Sequence, residues 1–211
     1  MRGEKREKLT QFNRQNILEA AQQLFSSKGV SQTTMDEIAA KADYSKSTVY
    51  VYFKSKEEIY DTIVFESMKM LKNRLQNILQ KNTDFKSFFF AICHEMTVFQ
   101  REYSLYFDSI LGEISVKPED FERCPVLREI YCTGEEINQM ISEKLTACMA
   151  NGSVRSELQP IPTIFMLWAS IGGIIRMAAQ KEKYLKKQIL REDFLQYSFT
   201  LLYEGLTGGS K

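Results

Sequence analysis

The sequence predicts an all-α fold: an N-terminal three-helix helix-turn-helix domain followed by a larger helical domain. Three observations predict it. Apolar residues recur at helical spacing, and strand-like alternation is almost absent. Pro and Gly are few, 4 and 10 in 211 residues. Helix start and stop signals bracket the periodic stretches.

Taken in order, Ile17, Ala20, Ala21, Leu24 and Phe25 trace one face of a first helix. Lys28-Gly29 ends it, with a cation in the last turn and a glycine free to turn left-handed. Thr34-Met35-Asp36-Glu37 has the pattern of a capping box and opens a short helix reaching about Ala42. Asp43-Tyr44 makes a tight turn, and Ser45 caps another short helix reaching about Tyr52. Ser55-Lys56-Glu57-Glu58 repeats the capping pattern. It launches a long helix with Ile59, Ile63, Met70, Leu71, Leu75, Ile78 and Leu79 inward. No Gly/Ser/Pro-rich linker intervenes, so this helix is expected to join the two halves rigidly, with domains at 1–56 and 57–211. Further helices are expected at roughly 84–100, 103–115, 125–150, 161–180 and 191–206. Asn151-Gly152 is a stop, Pro160 and Pro162 mark a helix start, and the charged stretch 181–187 reads as a loop.

Composition excludes several classes. The net charge is +1, but residues 1–56 carry 10 Lys and Arg against 6 Asp and Glu, and the rest carries 18 against 21. A basic head on a slightly acidic body suits a nucleic-acid end joined to a different end. Cys93, Cys124, Cys132 and Cys148 show no C-x-x-C spacing, and His94 is the one histidine. No metal and no cofactor is therefore expected, and free thiols fit a reducing cytoplasm. The first ten residues are charged, unlike a signal peptide. The uncharged run Ile164–Ile175 is shorter than the roughly 20 apolar residues that a bilayer span needs, so no membrane is expected. No phosphate loop, nucleophile elbow or paired-histidine motif is present, which argues against an enzyme.

The informative stretch runs from Thr33 to Tyr60. Helix, short turn, helix is the plan of a DNA-reading motif. Ile38, Ala39, Ala42, Val49 and Phe53 supply its buried side. The rest of the second helix is small, polar or aromatic: Ser45, Lys46, Ser47, Thr48, Tyr50, Val51 and Tyr52. Hydroxyls bond base edges or phosphates, Lys46 brings charge, and Val51 suits a thymine methyl. Ser45 is a cap first and a DNA contact second. Lys54 and Lys56 are placed to neutralise phosphate, and the amides around Ser55-Lys56 offer an anion site. Singly, the tyrosines read more readily as packing groups and the lysines as solvated charges; the joint pattern favours DNA contact.

These residues closely resemble the TetR family of transcriptional regulators. The run Ala42-Asp43-Tyr44-Ser45-Lys46-Ser47-Thr48-Val49-Tyr50-Val51-Tyr52-Phe53-Lys54-Ser55-Lys56-Glu57-Glu58-Ile59 follows the family's pattern. So do Ile17–Ala21, Leu24-Phe25 and Lys28-Gly29. The resemblance covers about residues 10–60; beyond it, only length, helicity and helix order agree. It implies that Thr34 bonds phosphate and that Lys46, Ser47, Thr48 and Val51 meet base edges. It also implies that Tyr50, Tyr52 and Lys56 grip the DNA backbone. Asp43 replaces the usual turn glycine but tolerates a left-handed conformation. Ser47 replaces a frequent glycine, which bears on operator choice.

In the body, the last helix is apolar almost all round: Phe194, Leu195, Tyr197, Phe199, Leu201, Leu202, Tyr203 and Leu206. Such a helix is buried on every side. The preceding helix carries Ala169, Gly172 and Gly173, which permit close approach. The family resemblance implies that these two helices form a homodimer interface, and burial within one subunit is the alternative. The middle helices are rich in Phe, Met and Tyr, including Phe88, Phe89 and Phe90. The resemblance implies a cavity there for a small, largely apolar or aromatic effector. Candidate ligand contacts are His94, Thr97, Phe107, Asn138, Trp168 and Arg176, with Gln100 a further polar neighbour. Together these readings point to a cytoplasmic dimeric repressor that binds a palindromic double-stranded DNA operator and is released by its effector. The alternative is a DNA-binding regulator or activator that needs no ligand.

Overall fold

The computed structural model describes residues 2–111, 118–181 and 190–208. Among these residues the chain is helical, without strands: α1 (Arg2–Lys28), α2 (Met35–Lys41), α3 (Lys46–Tyr52), α4 (Lys56–Lys81), α5 (Phe85–Glu102), α6 (Ser104–Leu111), α7 (Pro118–Arg123), α8 (Pro125–Ala150), α9 (Pro160–Lys181) and α10 (Arg191–Thr207). The expected end of a helix at 115 and most of the loop at 181–187 fall outside the described residues. The short α7 was not foreseen; six residues with no apolar period leave no signal.

The chain divides into two compact units, Met1–Ser67 with Ile114–Tyr131, and Met68–Glu113 with Cys132–Lys211. This differs from a division at 56/57. The first turns of α4 group with the head; a boundary inside a continuous helix leaves no trace in composition.

In the first unit, Ile17, Ala21 and Phe25 of α1 meet Ile38, Val49, Phe53 and Ile59, all with almost no solvent exposure. Each large apolar side chain contributes roughly 1.5–3 kcal/mol on burial, against about 1 kcal/mol for a typical cap. Ala42 is half-buried rather than buried. Helix α1 begins well before Ile17. Residues 3–12 are exposed, so no apolar stripe announces them.

The turn between α2 and α3 is a Schellman motif. The Tyr44 N–H donates to the Ala39 carbonyl at 2.9 Å and the Asp43 N–H to that of Ala40 at 3.3 Å. Asp43 stands at φ 60°, in the left-handed region, as its place in the turn required.

In the second unit, α5 buries Phe85, Phe88, Phe89, Ile92, Met96 and Phe99. Helix α9 packs on α5, α6 and α10. A Cβ on Gly172 would stand 2.6 Å from the tip of the Leu111 side chain, so a larger residue there requires that leucine to shift. Met70 was expected inward on α4 but is partly exposed, and its sulfur accepts from the Tyr103 hydroxyl at 2.9 Å. Met68 is buried on the same helix. Ile78 and Leu79 are half-buried. Helix α9 extends beyond the run Ile164–Ile175 to 22 residues and is, by length and hydropathy, long enough to cross a bilayer. It nonetheless packs on three helices of its own unit, and its Arg176 pairs with Asp108.

Backbone strain at Asp43 yields a clean test. A β-branched residue in this conformation costs about 1–2 kcal/mol. Asp43→Val should lower stability by that amount in urea unfolding, while Asp43→Gly should leave it unchanged or raise it.

Candidate nucleic-acid interface and effector cavity

Two seven-residue helices carry the interface, and each is started by a side chain. Thr34 caps α2: its Oγ1 accepts the Glu37 N–H at 3.3 Å, and the Glu37 carboxylate accepts the Thr34 N–H and hydroxyl, each at 2.9 Å. Lys28 adds an ion pair to Glu37 at 2.5 Å. The Lys28 ammonium, then the Thr34 amide and hydroxyl, pull the Glu37 carboxyl down to about 2. Ser45 caps α3 by accepting the Thr48 N–H at 3.1 Å. Its hydroxyl also bonds those of Ser47 at 2.9 Å and Thr48 at 2.7 Å.

The outward side of α3 presents Lys46, Ser47, Tyr50 and Val51. Val51 is 79% and Tyr50 47% exposed. Thr48 is half-buried beside them. An apolar side chain as open as Val51 has no role in the fold of the chain. Lys46 is not bare: its ammonium lies 2.9 Å from both carboxylate oxygens of Asp36 on α2.

Tyr52 and Lys56 stand apart from that surface. The Tyr52 hydroxyl accepts from Asn13 Nδ2 at 2.9 Å, and its carbonyl accepts from Arg14 at 3.2 Å. Arg14 also lies over the Phe53 ring, 4.2 Å from its centroid. Tyr44 completes the cluster by donating to Asn13 Oδ1 at 2.9 Å. Tyr52 thus fastens α3 to α1 and does not extend outward as a backbone grip. The Lys56 ammonium donates to the carbonyls of Val30, Ser31 and Thr33 at 3.0, 3.1 and 3.0 Å. A lysine has three donors, and all three are spent on the α1–α2 loop, so Lys56 is not placed for phosphate here. The second capping pattern is altered too. Ser55 Oγ accepts the Glu58 N–H at 3.2 Å, but Glu58 returns to the N–H of Lys54, at 2.6 Å.

The second unit holds an apolar cavity of about 30 Å³. Phe85, Phe88, Phe89 and Trp168 supply its aromatic walls. Ile92, Ile141, Leu145, Ile164, Leu167 and Ile171 supply the aliphatic ones. Of the six ligand candidates, only Trp168 lines it. Asn138 is its polar neighbour, accepting the Trp168 indole N–H at 2.9 Å. His94 is exposed. Arg176 is exposed and pairs with Asp108 at 3.2 Å. Thr97 is buried, but its hydroxyl bonds the Cys93 carbonyl one turn back at 2.8 Å. Phe107 is core, almost without exposure. The polar candidates stood out in the sequence because they interrupt apolar helices, yet the cavity is built from the apolar residues around them.

Residues 17–63 match the profile of "Bacterial regulatory proteins, tetR family". Over 69 residues the chain is 38% identical to an uncharacterized HTH-type transcriptional regulator, YhgD of Bacillus subtilis (strain 168), covering 33% of this chain and 36% of that protein. The chain thus spans about a third of that relative's length. Over 153 residues it is 24% identical to IcaR of Staphylococcus aureus, the HTH-type negative transcriptional regulator of the biofilm operon icaADBC, covering 72% of this chain and 77% of that one. The fold is similar to that of the transcriptional regulator FadR from Bacillus subtilis in complex with stearoyl-CoA. The TM-score is 0.69 at 17% identity, over 93% of this chain and 99% of that one.

If Lys56 holds the loop, removing it costs stability. Lys56→Met should lower the unfolding free energy by roughly 1–3 kcal/mol, from lost bonds to a charged group. A urea titration with an unchanged m-value should show the midpoint fall. An unmoved midpoint, with a flatter salt dependence of DNA binding, would return Lys56 to the phosphate role.

Proposed function

We propose that the chain is a TetR-type regulator, a cytoplasmic homodimeric repressor that binds a palindromic operator and releases it on binding an apolar effector; the match of residues 17–63 to the family profile and the likeness to IcaR support this reading. One observation carries the reading. Lys46, Ser47, Tyr50 and Val51 are exposed together on a helix whose opposite side is fixed in the core. DNA binding is assigned to the head, with Lys46, Ser47, Tyr50 and Val51 as its exposed contacts, and with Thr34, Ser45 and Thr48, whose hydroxyls hold the helix caps, exchanging those bonds for DNA on binding. One helix-turn-helix supplies one half-site, so two copies should read two half-sites about 34–36 Å apart or more.

The dimer reading rests on the last two helices. Phe165 of α9 is 55% exposed, Tyr197 and Leu201 of α10 are 66% and 51% exposed, and Met166 and Met177 lie open as well. Exposed apolar faces of this kind mark interaction surfaces. Leu201→Glu combined with Phe165→Glu should give folded monomers by sedimentation equilibrium and abolish operator binding. A monomeric wild type, or a variant still dimeric, would remove this interface.

Effector binding is assigned to the space between α5, α8 and α9. Its lining suits an acyl chain or an aromatic ring, with the Trp168–Asn138 pair as the polar handle. FadR, with a similar fold, holds stearoyl-CoA. A second reading, a regulator that needs no effector, is favoured by the cavity's size, since drug-sized ligands occupy about 300–1,000 Å³. One experiment separates the two. A duplex is selected from a random library, and its affinity is measured with and without long-chain acyl-CoA, free fatty acid or small aromatic acids. The effector reading expects weaker operator binding with at least one class, and the same compound must bind more weakly once the operator is bound. Equal affinity at saturation with each would leave the ligand-free regulator. In the same assay, a Lys46→Ala, Ser47→Ala variant should select a different sequence, losing about 1–3 kcal/mol per contact.

A further inference from the structure

The ion pair between Asp36 and Lys46 lies on the outer surface of the head, where it has little to do for the fold. Both partners are more than half exposed, 65% and 54% at the side chain. Exposed pairs of this kind add little to stability. The pair instead joins α2 to the first residue of α3, and the start of a recognition helix is the part that reaches base edges. An acid here is costly for binding any DNA, because phosphates line both strands.

We propose that Asp36 is a specificity-determining positioning residue, which holds Lys46 out of non-specific phosphate contacts and yields it only to a matching base edge. This rests on the DNA-binding reading above. On arbitrary DNA, Lys46 remains with Asp36 and the pair presents no net charge. One counterion fewer is then released than the lysine alone would release. The Asp36 carboxylate also repels the nearest phosphate. On the operator, a guanine presents two acceptors, O6 and N7, in its major-groove edge. Their paired geometry can replace the two carboxylate oxygens that Lys46 already contacts at 2.9 Å. The exchange is near balance on the right sequence and a loss on the wrong one. Discrimination of this kind comes from a repulsive element as much as from an attractive one.

The test uses the full-length protein, a short random-sequence duplex, and an operator obtained by selection from a random library. Asp36→Asn keeps size and polarity while removing the charge. It should bind the random duplex several-fold more tightly and change operator affinity less, so the operator-to-random ratio falls. The slope of log affinity against log salt on the random duplex should steepen by about one unit, one further phosphate neutralised. In a Lys46→Gln background, Asp36→Asn should lose most of this effect. Unchanged random-duplex affinity and slope, with normal operator binding, would overturn the proposal. So would a full effect surviving in Lys46→Gln, since Asp36 would then act by bulk repulsion alone. Unchanged thermal unfolding of each variant keeps the comparison interpretable. A wild type that selects no duplex would instead sink the DNA-binding reading on which this proposal stands.

Discussion

Two seven-residue helices cannot persist in water on their own. The first turn of a helix fixes several residues for one hydrogen bond, and isolated helices shorter than about 12–15 residues are marginal. Helices α2 and α3 therefore exist because the head packs them. Ile38 and Val49 are driven into a core made by α1 and the start of α4, and Thr34 and Ser45 satisfy the amides that short helices leave free. This division of labour frees the other side of α3. Its outward residues carry little of the packing, which leaves Lys46, Ser47 and Val51 open to solvent.

The same constraint explains what was legible in the sequence. Caps, turn residues and core positions are local or periodic, and they were readable: Thr34, Ser45, Asp43, Ile38, Val49 and Phe53 stand where the pattern put them. Partners far along the chain were not. Tyr52 meets Asn13 and Lys56 meets Val30, Ser31 and Thr33, and no spacing rule links such positions. Both residues fell within a DNA-binding pattern and were read as DNA contacts. In the head, the Lys56 ammonium spends its three donors on the α1–α2 loop, and the Tyr52 hydroxyl accepts from Asn13. Asp36 was visible only as a residue within the capping stretch, and its pairing with Lys46 was not, because two helices had to be oriented first.

In the second unit, composition foretold apolar helices but not which side of each would stay open. Helix α10 reads as apolar all round, yet only Leu195, Phe199 and Leu206 are fully buried. Tyr197 and Leu201 remain outward. Periodicity measures how much of a helix is apolar, and a helix apolar on all faces has no preferred direction until a partner is chosen. Most of the polar ligand candidates lie away from the cavity for a related reason, while Trp168 lines it and Asn138 bonds Trp168. Sequence reasoning favoured polar residues embedded in apolar helices. Burial, however, turns such residues toward their own backbone or out to water, as with Thr97 and His94. Aromatic side chains of α5 and Trp168 of α9 were left to face the cavity.

That cavity sets the terms on which any effector acts. About 30 Å³ is room for a water or two, and the lining offers water almost no partner. A ligand of effector size must therefore separate α5 from α8 and α9 by repacking their side chains, since close-packed interiors do not stretch continuously. If such an opened state is rare without ligand, the apparent affinity is weakened by the same factor. An apolar ligand offsets the cost by covering the surfaces that opening exposes, at roughly 25 cal/mol for each Å² removed from water. A small polar ligand has no such gain and would leave Phe88, Phe89 and Trp168 facing a poor partner. Under the effector reading proposed above, a preference for long or flat apolar molecules follows from this packing, and the Trp168–Asn138 hydrogen bond is the polar feature beside the cavity.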